Sequence, residues 1–242
     1  MSSFIQITPR TILKLNFLLI FLLTIGHLLF GQSVYEDTLR GEWGRFFSLD
    51  WEENLPTFFS VISLLFSSLL AILLSLIREL KRSDRLTWGS IGFLFLALAV
   101  DEWEGIHERL DGQVEGVIES IFRIKIDNPN GSYEFMLLLI AVILVILYSR
   151  FIFGLPKDIK NLIITAFAII LLGSIVLEFI TIDIINISSN PTNLVYFSLA
   201  TIEEILELTG IAIFNYALIK HILSYRQLVV KLPLSQDNES SI

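Results

Sequence analysis

Six long apolar stretches constrain the fold of this chain more than any other feature of its sequence. Each is roughly 17–25 residues long or longer, which is enough for a helix to cross a ~30 Å hydrocarbon layer. They fall at about residues 11–31, 57–78, 86–108, 134–154, 160–182 and 193–222. A hydrophobic fraction of 54% and a mean hydropathy of +0.71 exclude an ordinary soluble domain. We therefore predict an all-α integral membrane six-helix bundle over residues 1–232, followed by a disordered cytoplasmic tail over 233–242.

Positive charges are unevenly distributed among the segments that flank these stretches. Lys and Arg cluster before the first stretch, after the second, after the fourth and at the end of the sixth: Arg10, Lys14, Arg78, Lys81, Arg82, Arg85, Arg150, Lys157, Lys160, Lys220, Arg226 and Lys231. The segment between the first two stretches is acid-rich, and residues 184–192 carry no charge. Because cytoplasmic loops are enriched in Lys and Arg, we predict that both termini are cytoplasmic in a multi-pass protein of the inner cell membrane.

The remaining composition excludes several classes of function. There is no cysteine, so disulfides and thiolate chemistry are excluded. The chain has neither a Gly-rich phosphate loop nor a basic stripe, and its net charge is −8, so we do not expect nucleic acid as a partner. Membrane lipids are the expected partners, whereas protein partners stay open.

Ionisable side chains within the apolar stretches are the strongest functional signal. Such groups are costly in a membrane and usually face the interior of a bundle. They are His27, Asp101, Glu104, His107, Glu108, Glu178, Glu203, Glu204 and Glu207. At ~1.5 Å per residue, each lies roughly 20–34 Å from the basic end of its own stretch. Four stretches therefore place their polar groups at one depth, in the outer leaflet.

Helical periodicity groups these residues further. Asp101, Glu104 and Glu108 share one face of the third stretch, with His107 at its edge, whereas Glu102 points elsewhere. In the sixth stretch Glu203, Glu204 and Glu207 share one stripe. We expect these faces to meet in the bundle interior. Since neighbouring carboxylates raise each other's pKa, a cation is the simplest partner that neutralises them.

A divalent metal is the cofactor that this set of side chains predicts. Glu104-x-x-His107 has the spacing found in di-metal carboxylate bundles, although Glu204-x-x-Glu207 lacks a histidine. Asp, Glu and His suit Zn, Fe or Mn, and the oxygen-rich balance also admits Mg or Ca. The predicted metal ligands are Asp101, Glu104, His107, Glu178, Glu204, Glu207 and His27. In an enzyme acting on a lipid or membrane-embedded substrate, Glu108 or Glu203 would be the general base for metal-bound water.

Structural interpretations stand beside each of these assignments. Glu203 and Glu204 would lie among lipid headgroups if the last helix protrudes, and Glu178 or His27 would simply hydrogen-bond within the bundle. Glu53 and Pro56 are typical of the start of a helix. Two other functions also fit the sequence: a cation or proton transporter, and a structural or assembly factor without catalysis.

Three short motifs resemble a pattern in functionally uncharacterised bacterial multi-pass membrane proteins. They are Glu53-Asn-Leu-Pro-Thr57 before the second stretch, Asp101-Glu…His107-Glu108 at the end of the third, and Glu203-Glu-x-x-Glu207 followed by Gly210. The resemblance covers most of the chain. It implies a bacterial membrane protein and brings no known activity.

Overall fold

A computed structural model of the protein describes residues 8–34, 38–106, 132–177, 179–180 and 194–225. Within these residues the chain is helical and contains no β-strand. Its seven α-helices are α1 (Pro9–Phe30), α2 (Leu39–Phe47), α3 (Leu55–Ser75), α4 (Arg82–Glu104), α5 (Ser132–Gly154), α6 (Lys157–Leu171) and α7 (Leu194–Tyr225). A short 3-10 turn, Gly31–Ser33, follows α1, and a π-helical segment, Leu172–Leu177, follows α6.

The six longer helices coincide with the six predicted apolar stretches to within a few residues at the ends that are described. Among the described residues, four helices are long and apolar enough to cross a membrane: Pro9–Ser33, Leu55–Ser75, Arg82–Glu104 and Lys157–Leu177. In α5 the apolar part is the shorter Leu138–Gly154, and the 32-residue α7 carries charged side chains. The all-helical class is confirmed, and the four apolar helices indicate a membrane protein. The predicted tail at 233–242 lies outside the described residues.

The helix α2 was not predicted, because its acid-rich segment has no long apolar run. The Thr38 side chain caps it by accepting a hydrogen bond from the Gly41 N–H (3.2 Å). Gly44 lets α2 pack against the end of α1, since a Cβ at this position would lie 2.8 Å from the Val34 nitrogen. Residues 38–47, between the first two apolar stretches, therefore fold as a helix that packs on the end of α1.

The start of α3 confirms the helix-start interpretation of the Glu-Asn-Leu-Pro-Thr motif. Asn54 is the N-cap, and its Oδ1 accepts a hydrogen bond from the Thr57 N–H (3.1 Å). Its Nδ2 donates to the carbonyls of Arg45 (2.9 Å) and Ser48 (2.6 Å), which ties α2 to α3. Pro56 occupies the first turn, where its missing N–H leaves no helical hydrogen bond unmade.

Two apolar cores hold the bundle together. The larger lies among α3, α4, α6 and α7 and includes Leu74, Trp88, Phe95, Ala166, Phe214 and Leu218. Phe95 and Phe214 stack within it, with ring centroids 4.6 Å apart. The smaller core joins α1 to α7 through Ile20, Leu23, Leu49, Leu208 and Ala212. α7 therefore contacts both cores and is the central helix of the described bundle.

Opposite ends of this bundle differ in charge. At one end of the bundle α1 and α4 end, α3 and α7 begin, and α2 packs. The side chains there include Asp50, Glu102 and Glu204. We call this the acidic end. At the other end α3 finishes and α4 and α6 begin, close to the end of α7. There the Arg85 Nε donates to the Ser75 carbonyl (2.8 Å), and Lys220 pairs with Asp158 (3.2 Å). We call this the basic end.

Candidate functional site: a carboxylate cluster around Glu204

Glu204 lies in a group of carboxylates at the acidic end. Its side chain is half-buried, and the charged groups that act on it among the described residues are Glu207, Glu102, Glu203 and Asp50. They belong to α7, to the last turn of α4 and to the segment that joins α2 to α3. Three separate parts of the chain thus bring like charges together. We call these five residues the Glu204 cluster.

The α4 residue in this cluster is Glu102, which the helical-face argument had excluded. Buried positions on α4 are Trp88, Ile91, Gly92, Phe95 and Ala99, which follow the i, i+3, i+4 pattern of one helix face. Glu102 continues that face three residues beyond Ala99, whereas Glu104 lies on the opposite side and is exposed. Glu104 thus lies away from the buried face of α4, and Asp101 lies next to Glu104 on that side of the helix. Extending the apolar stripe of α4 by one turn would have identified Glu102.

Asp50 is held in place by a tyrosine from α7. The Tyr196 hydroxyl lies 3.1 Å from Asp50 Oδ1 and 3.0 Å from Oδ2, so it donates a hydrogen bond shared between the two oxygens. Tyr196 lies in the first turn of α7, and Glu204 lies about two turns further along the same helix. This contact turns the carboxylate of the connecting segment toward α7. No sequence pattern indicates this pair, because the contact depends on how residues 48–54 fold.

His27 is a buried structural link, with both ring nitrogens used by the protein. Its Nδ1 accepts a hydrogen bond from the Leu49 N–H (3.0 Å), so the neutral ring carries its proton on Nε2. That Nε2–H donates to the Thr201 hydroxyl at 2.9 Å, and the ring stacks on Phe197 with centroids 4.5 Å apart. A metal bond at either nitrogen would displace one of these partners. The geometry therefore favours His27 as a support that fixes the segment next to Asp50.

A π-helical segment packs against the same part of α7. In Leu172–Leu177, Gly173 is so close to α7 that a Cβ would lie 3.0 Å from the Glu203 carbonyl and 3.1 Å from the Glu207 Cγ. Single π-helical turns inside α-helices are rare and are often found at functional sites. Only glycine allows this approach, so Gly173 fixes the position of the Glu203–Glu207 turn.

Three predicted site residues, His107, Glu108 and Glu178, lie outside the described residues. Within the part of the chain that the structure describes, no three His, Asp or Glu side chains are close enough together to hold a metal ion. The Glu204 cluster is thus a group of mutually interacting carboxylates and not a formed coordination shell. The predicted ligands Glu204 and Glu207 and the predicted base Glu203 lie together, whereas Glu104 lies apart from them.

Residues 15–221 match the model of a protein family described as domain of unknown function DUF8692. The match covers most of the chain, and the protein belongs to this family. No curated protein matches the chain. No solved structure matches it either.

Proposed function

We propose that this member of the family is a membrane protein that binds a divalent cation at the Glu204 cluster. The observation that carries the proposal is that the described charges acting on Glu204 are all carboxylates, from three separate segments. Neighbouring carboxylates repel one another, and the repulsion is stronger where they are partly shielded from water. A chain that folds against this repulsion needs protons or a cation at the cluster. A divalent ion neutralises two carboxylates at once.

The chemistry of the donors favours a hard metal ion. With His27 engaged by Leu49 and Thr201, the described donors at the cluster are carboxylate oxygens alone. Oxygen ligands suit Mn²⁺, Ca²⁺ and Mg²⁺ better than Zn²⁺, which prefers nitrogen and sulfur. Mn²⁺, Mg²⁺ and Ca²⁺ are therefore the predicted metals that these donors favour, and Mn²⁺ is the one that can be followed by its magnetic resonance signal. Glu204 and Glu207 are the proposed central ligands, and His107 and Glu178 remain predicted ligands.

Metal binding to purified protein tests this proposal. Detergent-purified wild type, stripped with chelator and then titrated with Mn²⁺, should bind the ion in a fixed ratio, measured by calorimetry and by the loss of the free-Mn²⁺ electron paramagnetic resonance signal. Glu204→Gln should weaken binding by at least about tenfold. Removing a hydrogen-bond partner of a metal ligand weakens metal binding by about that much, and removing the ligand itself should weaken it no less. The same change should raise the thermal stability of the metal-free protein, since it removes repulsion.

Glu104→Gln is the matched control, because it makes the same chemical change on an exposed position at the same end of the bundle. It should leave the affinity unchanged. Absence of Mn²⁺, Ca²⁺ and Mg²⁺ binding by folded wild type would overturn the proposal. Equal losses in both variants would place the site elsewhere.

The proposed arrangement in the membrane is six spans with both termini cytoplasmic, in the inner membrane of a bacterium. The acidic end would then face outward, and α5 and α7 would complete the six spans. Because the chain contains no cysteine, a single introduced cysteine reports only its own position. Arg40→Cys should react with a membrane-impermeant thiol reagent on intact cells, whereas Ser83→Cys and Lys157→Cys should not. The reverse pattern would invert the topology.

A second candidate, cation or proton transport, is favoured by a polar contact deeper in the bundle. The Ser67 hydroxyl donates to Asn215 Oδ1 (2.8 Å), and Asn215 Nδ2 donates to the Ser63 carbonyl (3.2 Å). Asn215 lies eight residues beyond Glu207 on α7, or about 12 Å toward the basic end. The flux of protons or Mn²⁺ into proteoliposomes is measured for wild type and for Asn215→Leu. A lower flux in the variant would support transport. If the protein binds the cation but does not transport it, the cation would be a permanently bound cofactor. The protein could then be an enzyme with Glu203 or Glu108 as its general base.

A further inference from the structure

A second cavity lies beside α2, separate from the Glu204 cluster. It has a volume of about 330 Å³ and is lined by Glu42, Arg45, Phe46, Trp51, Glu52, Glu53 and Asn54. None of the five cluster residues lines it. We call it the α2–α3 cleft, because α2 forms one wall and the segment leading into α3 forms the other.

Charges of both signs face this cleft. One guanidinium nitrogen of Arg45, Nη1, donates to the Val34 carbonyl (3.0 Å), which leaves four of the five N–H groups of the side chain for another partner. Glu42 and Glu53 are exposed, and neither forms an ion pair or hydrogen bond through its carboxylate with another described residue. One guanidinium and three carboxylates, those of Glu42, Glu52 and Glu53, thus line one cavity, and Glu42 and Glu53 form no ion pair with Arg45.

The cleft also lies where lipid headgroups would lie. The side chains of Phe46 and Trp51 are 46% and 41% exposed, respectively. Those of the neighbouring α2 residues Leu39 and Trp43 are 70% and 46% exposed. α2 packs on the end of the apolar α1, which has the length to cross a membrane. Exposed tryptophan at the end of a transmembrane helix is typical of the membrane–water interface.

We propose that the α2–α3 cleft binds the headgroup of a zwitterionic phospholipid that carries an ammonium group. The Arg45 guanidinium would bind the phosphate, since a planar guanidinium matches phosphate oxygens. Glu42 and Glu53 would bind the ammonium group, and the face of Trp51 would add a cation–π contact. Phe46 would meet the glycerol and the first acyl carbons. A purely anionic lipid would satisfy Arg45 but would leave its headgroup facing three carboxylates.

Lipid selectivity tests this assignment and does not depend on the cation site. Purified full-length protein is titrated with short-chain phosphatidylethanolamine and, in parallel, with short-chain phosphatidylglycerol, and native mass spectrometry counts the bound lipids. Wild type should prefer phosphatidylethanolamine by about tenfold, the scale of one charge-assisted hydrogen bond. The double variant Glu42→Gln, Glu53→Gln should lose that preference and keep its binding of phosphatidylglycerol. Glu104→Gln, exposed at the same end of the bundle, should behave as wild type.

Because both side chains are exposed, we expect the double variant to keep the thermal stability of wild type. An unchanged melting temperature would show that the variant is folded. Equal affinity of wild type for the two lipids would overturn the proposal. So would a preference that survives in the double variant. If free phosphoethanolamine binds and the lipid does not, the cleft recognises a soluble zwitterion and the lipid assignment is wrong.

Discussion

Two buried histidines among the described residues, His27 and His221, lie at opposite ends of the bundle and are held in different ways. His27, 1% exposed, has a hydrogen-bond partner on each ring nitrogen, from a backbone N–H and from Thr201. His221, 0% exposed, has none among the described residues and packs against the rings of Trp88 (5.6 Å) and Tyr225 (5.1 Å). The histidine at the acidic end is thus held by directional polar contacts, and the histidine at the basic end by aromatic packing. Burial of a histidine therefore says little about its role until its partners are known.

The largest expected effect is the loss of the His27 contacts. His27→Phe keeps a planar ring against Phe197 but leaves the Leu49 N–H without its acceptor and Thr201 without its donor. The Thr201 hydroxyl keeps its hydrogen bond to the Phe197 carbonyl, so only the Leu49 N–H loses its partner. A buried polar group without a partner costs about 1–3 kcal/mol, which is the loss we expect in the free energy of unfolding. Denaturation in mixed detergent micelles, followed by circular dichroism, measures it.

His221→Phe is the paired control, because it replaces a ring of similar shape at a site where no described hydrogen bond is lost. The change in free energy of unfolding should stay within about 1 kcal/mol, and stabilisation would be consistent with the removal of buried polar atoms that lack partners. If both substitutions cost the same, the contrast between the two ends is wrong.

The second prediction concerns the polar link between α3 and α7, midway between these ends. Asn215→Leu removes the acceptor of the Ser67 hydroxyl and the donor to the Ser63 carbonyl. Polar contacts between helices in membrane proteins average about 0.6 kcal/mol and reach about 1.7 kcal/mol. We expect a coupling energy in that range from the double-mutant cycle of Asn215→Leu with Ser67→Ala. A coupling near zero would show that packing alone joins the two helices.

Much of this fold could be predicted because it follows from hydrophobic length and helix capping. The apolar runs located the six longer helices, and Glu53 and Pro56 located the start of α3. Such features are local: each is decided by residues within one or two turns.

The site could be predicted only in part, because it depends on the rotation of each helix and on the conformation of the connecting segment. The stripe on α7 was found, since Glu203, Glu204 and Glu207 occupy one turn and lie together. On α4, the buried stripe that ends at Ala99 points to Glu102, whereas the shared carboxylate face alone pointed to Asp101 and Glu104. Asp50 was missed, because its contact with Tyr196 joins positions 146 residues apart.

The third prediction tests whether the directional contacts of the acidic end also shape the cation site. Tyr196→Phe removes only the hydroxyl that donates to the two Asp50 oxygens. Since this contact is exposed, we expect about 1 kcal/mol or less in stability. The released carboxylate should weaken Mn²⁺ binding by about tenfold, the low end of the effect of a supporting hydrogen bond. Unchanged affinity in calorimetry would exclude Asp50 from the site.

The smallest expected effect is at the basic end, where the one described ion pair joins α6 to α7. Lys220 and Asp158 lie 3.2 Å apart, but their side chains are 40% and 77% exposed. Exposed pairs contribute about 0–1 kcal/mol, because water screens the attraction and two flexible side chains lose freedom. Lys220→Met, which keeps most of the apolar stem, should therefore change the free energy of unfolding by less than about 0.5 kcal/mol, and added salt should not enlarge the difference. A cost comparable to that of His27→Phe would mean that charge, and not the aromatic packing around His221, orders this end of the bundle.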